Sequence, residues 1–184
     1  MNDDILFTPR SGEEMMKAVP GARLIMYSNL CRMVKQQGIA RVIGRLLKES
    51  DKYIVLLQHP NNDKTGHWLG LKILPKSKEI YFFNSYSGMP DAKKHEWLSE
   101  EHLLASGQDI DVFNDGLKYM AEQGWKIHYN DRPYQFEGDK TATCGIWTAG
   151  FLNSELDPDQ FYFFNNFYRL TPQDYYFAYF TKKD

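Results

Sequence analysis

The residues Tyr53-Ile54-Val55-Leu56-Leu57 form an unbroken apolar run rich in β-branched side chains, which predicts a buried strand. Pro60 to Gly66 is a cluster of turn formers and predicts a loop. His67 to Leu74 predicts a second strand, Pro75-Lys76-Ser77-Lys78 a turn, and Glu79 to Asn84 a third strand that ends in a Ser85 to Pro90 loop. Upstream, Ser11 to Val19 reads as a short helix with Ser11 as N-cap, stopped at Pro20-Gly21. Between Leu24 and Lys48 the apolar positions Leu30, Met33, Val34, Val42, Leu46 and Leu47 predict helix, weakened at Gly38 and Gly44. Downstream, the pattern predicts helices over Asp91 to Ala105 and Asn114 to Gln123, a strand over Trp125 to Tyr129, and a polar loop over Asn130 to Thr143. Gly145 to Leu152 predicts an apolar helix, and the aromatic stretch from Phe161 to Phe180 follows neither period. The expected class is α+β, a mainly antiparallel central sheet flanked by helices, in one domain spanning 1–184.

At 184 residues the chain can bury a core without metal or disulfide staples. Its net charge of −2 gives no overall basic signature for nucleic acid or anionic membrane. Cys31 and Cys144 are too few and too far apart for a disulfide framework, which points to a reducing compartment. An acidic start without an apolar run predicts that the protein is not secreted, and no stretch reaches the length of a membrane span.

Four residues invite a chemical reading. Cys144 falls where a polar loop meets a helix start, a place where the helix dipole and free N–H groups favour the thiolate. An isolated cysteine is more often a small buried apolar residue; the flanking loop and Gly145, which would let a substrate approach the backbone, favour chemistry here. His67 sits beside Gly66 and Trp68 at a loop-to-strand junction, which suits a general base as well as an ordinary surface histidine. If its strand pairs with the next one through the Pro75 turn, Asn84 comes near, and its amide oxygen can accept the histidine Nδ1–H and fix the tautomer. Gln135, in the loop before Cys144, offers an amide donor for an oxyanion hole together with the Cys144 N–H, although a loop glutamine by itself signals nothing. His95 and His102 lack a zinc-ligand spacing with a third partner, and there is no phosphate-binding loop, dinucleotide fingerprint or serine elbow. No metal and no cofactor is expected, and thiol catalysis is the covalent chemistry that remains.

The order histidine, amide or acid, glutamine, cysteine resembles the adenain-like and SUMO-protease-like cysteine peptidases of clan CE. Gly66-His67-Trp68 is similar to that clan's Gly-His-Trp, and Phe82-Phe83-Asn84-Ser85-Tyr86 to its Phe-Phe-Asp-Ser-Tyr. Tyr129-Asn130 through Gln135 to Thr143-Cys144-Gly145 is similar to its glutamine loop and Cys-Gly helix start. The matching strings fall within a core from about 53 to 152. The resemblance implies that Cys144, His67, Asn84 and Gln135 are catalytic and that Trp68 lines the cleft, with Gly145 beside it. Its flavour is that of proteases of adenoviruses, virophages, large DNA viruses and Maverick-type transposons. That implies a monomeric endopeptidase that cleaves capsid or core precursors at glycine-rich sites, in the virion or the interior of the host cell. Whether a peptide or DNA activates it stays open. A ubiquitin-like-modifier protease and an inactive binding module of the same fold are the alternatives. Two features depart from the family: Asn84 replaces the usual Asp or Glu, with Asp91 a conceivable substitute, and the nine-position gap from Gln135 to Cys144 is long.

Overall fold

The computed structural model describes residues 4–59, 62–88, 90–135 and 141–181. In chain order it comprises α1 (Asp4–Phe7), α2 (Gly12–Ala18), β1 (Arg23–Met26), α3 (Tyr27–Gln37), α4 (Ile39–Glu49), β2 (Lys52–His59), β3 (Asn62–Leu74) and β4 (Glu79–Asn84). Then follow α5 (Ala92–Trp97), α6 (Glu100–Ser106), α7 (Val112–Glu122), β5 (Lys126–Tyr129), α8 (Cys144–Asn153), α9 (Pro158–Tyr168) and α10 (Pro172–Tyr179).

The class is α+β as expected, with one five-stranded sheet in the order β1-β2-β3-β4-β5. The sheet is mixed rather than mainly antiparallel. β2–β3 and β3–β4 are antiparallel, whereas β1–β2 and β4–β5 are parallel. The reason is connection length. The Pro75–Lys78 turn can only reverse the chain, while the α3–α4 and α5–α7 segments are long enough to cross over and return a strand in the same direction.

The sheet carries a core on each face. Tyr53, Val55, Leu57, Leu69, Leu71, Ile80 and Phe82 face α3, α4 and α7. Ile54, Leu56, Trp68 and Phe83 face α2, α8, α9 and α10. Two-sided burial explains why β2 reads as an unbroken apolar run rather than an alternating one.

Several expected boundaries move. The stretch from Leu24 to Lys48 contains strand β1 and then two helices divided at Gly38, whose φ of +78° suits glycine and ends α3. The loop expected from Pro60 to Gly66 is mostly strand, since β3 begins at Asn62; Pro60 and Asn61 lie outside the described residues. The helix expected over Asp91 to Ala105 is two helices, because Ser99 takes an extended backbone and caps α6 through the His102 N–H. In the loop from Asn130 to Thr143, residues 136–140 lie outside the described residues. The aromatic C-terminal stretch forms α9 and α10. Phe161 and Tyr175 enter the core, while Phe163, Phe167 and Phe177 are exposed. No helix among the described residues is long and apolar enough to cross a membrane.

Helix α8 is buried from Gly145 through Leu152 and packs on β3. Gly70 of β3 makes room for it, since a Cβ there would press within 3.3–3.4 Å of Thr148 and Leu152. The far end of α8 is held by a buried lysine. Lys72 Nζ donates to the carbonyls of Phe151 (3.0 Å), Ser154 (3.0 Å) and Leu156 (2.8 Å) and lies 3.8 Å from the centre of the Phe151 ring. The Lys72 amine thus gathers carbonyls from the last turn of α8 and the residues just beyond it. Lys72→Met keeps the stem and removes the donor. It is expected to lower stability by about 1–3 kcal/mol, the cost of leaving buried polar groups unpaired. Thermal unfolding should shift down by roughly 2–10 °C; an unchanged midpoint would show that the carbonyls do not need this lysine.

Candidate active site

His67 lies on β3, and register fixes what it can meet. Leu69 pairs with Asn84 across the β3–β4 ladder, and His67, two residues before Leu69, points to the same face. His67 and Asn84 are therefore diagonal neighbours at the end of the sheet. The strand reaches this geometry through Gly66, where a Cβ would collide with the Leu57 carbonyl oxygen of β2. This close approach sits at the bulge between Gln58 and His59. There the Gln108 side chain replaces a partner strand, accepting from the Gln58 N–H (2.9 Å) and donating to the Gln58 carbonyl (3.0 Å).

His67 and Asn84 are joined at 2.8 Å between Nε2 and Oδ1. The sequence predicts Nδ1 in that bond; the structure places Nε2 there instead. The orientation of the Asn84 amide follows from its other partners. Oδ1 also accepts from the Tyr86 N–H (3.0 Å), and Nδ2 donates to the Ser87 carbonyl (3.1 Å). A backbone N–H can only donate and a carbonyl can only accept, so Oδ1 is the atom facing the histidine. His67 Nε2 must then carry the proton, which leaves Nδ1 as the unprotonated nitrogen of the neutral ring. These contacts also account for an amide where the resembling family has an acid, since a carboxylate could not donate to Ser87. Asn130 locks the strand end from behind, accepting from the Asn84 N–H (3.0 Å) and donating to its carbonyl (2.6 Å).

Asp91 is no substitute for Asn84. Its carboxylate accepts from the Tyr27 hydroxyl (2.6 Å) and the Asn114 N–H (2.7 Å), in a buried cluster between α3, α5 and α7.

Cys144 is the first residue of α8 and is half-buried. The helix start was expected to favour the thiolate. Burial instead raises the thiol above its ordinary range, and hydrogen bonding to the N–H groups of Trp68, Gly145 and Cys144 offsets that only in part. Burial thus favours the thiol over the thiolate. The space a Cβ would take at Gly145 is filled by the Arg10 stem and the Trp68 ring, both at 3.0 Å. Close packing of the helix start favours glycine there.

Gln135 is buried, and its Oε1 accepts from the Thr143 hydroxyl at 2.7 Å. Its backbone N–H donates to the Ser85 carbonyl at 3.2 Å. A cleft of about 150 Å³ brings together His67, Trp68, Gln135 and Cys144, with Tyr86, Trp97 and the segment Pro9–Arg10 as further walls.

Those further walls were not expected from the sequence. Trp97 is exposed at the end of α5 and meets the His67 ring edge-on at 6.3 Å, while Tyr86 lies 4.8 Å from that ring. The N-terminal wall comes from outside the expected core of 53–152. Its Leu6 carbonyl accepts from the Ala142 N–H (2.5 Å), and its Arg10 carbonyl accepts from Trp68 Nε1 (3.1 Å). The buried Arg10 guanidinium ties the segment to itself through the Thr8 carbonyl (2.6 Å) and lies 5.1 Å from the Tyr176 ring of α10. An Arg-Ser-Gly-Glu-Glu string announces a helix start, and nothing in it announces a cleft wall. Among the described residues no group of acidic, histidine and cysteine side chains could hold a metal ion.

No family model matches the chain. It is 25% identical over 158 residues to the uncharacterized protein V9 of Sputnik virophage, a similarity covering 83% of this chain and 82% of the virophage protein. Solved structures of the SUMO protease Ulp1 with its catalytic cysteine oxidised to a sulfinic acid are similar at 18% identity and a TM-score of 0.37, covering 76% of this chain and 59% of that one. The Ulp1 protease domain in complex with Smt3, the yeast ortholog of SUMO, is similar at 18% identity and a TM-score of 0.35, with the same coverage. The chain thus spans about three fifths of those solved chains.

The raised thiol gives a pH prediction. In a His67→Ala variant, alkylation of Cys144 by iodoacetamide should stay slow through neutral pH. It should accelerate only above the ordinary thiol range of about 8.5, because only the thiolate reacts and burial favours the thiol. The rate is read by intact mass against pH. A midpoint below that range would show that the helix start outweighs burial.

Proposed function

We propose that the protein is a cysteine endopeptidase in which Cys144 is the nucleophile, His67 the base, Asn84 the residue that orients it and Gln135 an oxyanion donor. The observation that carries this reading is the Asn84 amide. Its contacts favour the Nε2–H tautomer of His67, a residue that lines the same cleft as Cys144.

The chemistry follows from that state. Nδ1 takes the proton from the Cys144 thiol as sulfur attacks the peptide carbonyl carbon. The carbonyl π electrons move to oxygen, and the Cys144 N–H and the Gln135 NH₂ group receive that oxyanion. The tetrahedral adduct collapses, the imidazolium gives its proton to the departing amine, and a thioester remains on Cys144. His67 then takes a proton from water, which attacks the thioester and releases the carboxylic acid and the free thiol. A neutral Asn84 orients the ring but adds no charge to steady the imidazolium, which fits proton transfer during attack rather than a standing thiolate–imidazolium pair.

The substrate reading is a viral capsid or core precursor cut at glycine-rich sites. A cleft of about 150 Å³ walled by Trp68, Tyr86 and Trp97 favours small side chains at the scissile bond, and the virophage relative favours a viral setting. The test offers wild type and Cys144→Ala a glycine-rich peptide library and a ubiquitin-like modifier with a vinyl-sulfone tail, read by mass spectrometry. Library cleavage by wild type alone, without a modifier adduct, is the expected result. An adduct on Cys144 would move the protein to the modifier proteases, and no reaction with either would support a binding module.

His67→Ala should lower kcat/KM by about 10²–10⁴. Asn84→Ala should cost less, about 10–10², because the ring loses its orientation and not its base. Equal losses for the two variants would contradict the division of roles.

A further inference from the structure

We propose that Thr143 is a positioning residue that aims the Gln135 amide into the cleft, an inference that rests on the oxyanion role given to Gln135 above. Thr143 occupies the N-cap position of α8. A threonine there ordinarily turns its hydroxyl back to accept an N–H from the first helical turn. Other helices of this chain do so: Ser11 accepts from the Glu14 N–H at 3.2 Å, Ser99 from the His102 N–H at 3.3 Å and Asp157 from the Gln160 N–H at 2.8 Å. Those caps have extended backbones, with ψ between 158° and 169°. Thr143 has φ −92° and ψ −3°, and its side chain makes no cap bond. Its hydroxyl donates instead to Gln135 Oε1 at 2.7 Å, between two buried side chains.

The diversion has two consequences. Oε1 is engaged by Thr143, and the NH₂ end is the only part of the amide that can donate to an oxyanion beside Cys144. The first N–H groups of α8, including that of Cys144, are also left without a side-chain cap and available to sulfur or oxyanion. Gln135 is clamped from two directions, by Ser85 next to Asn84 at its backbone and by Thr143 next to Cys144 at its side chain. A single glutamine thereby sets the spacing between the base-bearing strand end and the nucleophile-bearing helix. The nine-position separation from Cys144 needs no special loop length, because the hydroxyl supplies the alignment that a short loop would supply otherwise.

The experiment is a double-mutant cycle on the full-length protein, with Thr143→Val, Thr143→Ser, Gln135→Ala and Thr143→Val/Gln135→Ala. It reads kcat and KM on a glycine-ending peptide coumarylamide. It also reads the inhibition constant of a peptide glycinal, whose hemithioacetal oxygen occupies the oxyanion position. Valine is close in shape to threonine, and thermal unfolding within a few degrees of wild type confirms an intact fold. Gln135→Ala is expected to lower kcat by about 10²-fold. Thr143→Val should lower kcat by about tenfold with KM little changed, and should weaken the aldehyde in proportion. Thr143→Ser should restore most of the loss. In the Gln135→Ala background Thr143→Val should change kcat less than about twofold, since the residue through which it acts is gone. Equal losses in both backgrounds would show that Thr143 acts on the helix and not through Gln135, overturning the proposal while sparing the oxyanion role. A Gln135→Ala variant with full activity would remove that role and this proposal with it. A wild-type protein that neither cleaves the coumarylamide nor binds the aldehyde would overturn both.

Discussion

The packing of α8 on β3 is the constraint from which the site follows. A ten-residue helix with buried residues throughout has no polar face to turn outward, so it must sit between the sheet and the α2 and α10 layer. Two glycines permit the approach, Gly70 beneath the middle of the helix and Gly145 at its start. Lys72 closes the far end. With the helix axis and both ends fixed, Cys144 comes to the Trp68 backbone, one residue from His67, without any loop having to carry it there. A site on rigid elements keeps its geometry at little entropic cost when a substrate binds.

Within that frame the polar groups form a chain in which each member fixes the next. Asn130 holds the end of β4, Asn84 spends both ends of its amide, and His67 is left with Nε2 as the nitrogen that donates to Asn84. On the other side Thr143 and Ser85 hold Gln135. Burial favours the neutral thiol, so in the proposed reaction an acceptor nitrogen placed in advance takes the proton and no standing ion pair is required. The amide at Asn84 is consistent with this scheme: it supplies direction and leaves charge to develop only in the reaction.

Much of this was legible in the sequence, and the physical reason is locality. The runs His67–Leu74 and Glu79–Asn84 and the intervening Pro75 turn specify an antiparallel ladder from neighbouring residues alone, and that ladder is what brings Asn84 to His67. Strand β1 was hidden because three apolar residues, Leu24 to Met26, before a helical pattern have the period of neither, and its partner lies 30 positions away. The parallel pairings were hidden for the same reason, since only the crossovers reveal them. Asn62 to Gly66 looked like a loop because its residues are turn formers, yet β2 and the bulge at Gln58 hold them in a strand. Which imidazole nitrogen meets Asn84 depends on ring rotation within a diagonal pair, something a sequence cannot encode. Arg10 and Trp97 enter the cleft by contacts between distant segments, Thr143 reaches Gln135 by a diverted cap, and nothing in their sequence neighbourhoods marks them.

The measurement that bears most directly on the account is the tautomer of His67 in the resting protein, read from long-range ¹⁵N–¹H correlations of the imidazole at neutral pH. The account predicts a neutral ring with the proton on Nε2 and a bare Nδ1, alongside a Cys144 thiol that retains its hydrogen. A proton on Nδ1 of a neutral ring, or protons on both nitrogens beside a Cys144 thiolate, would contradict it.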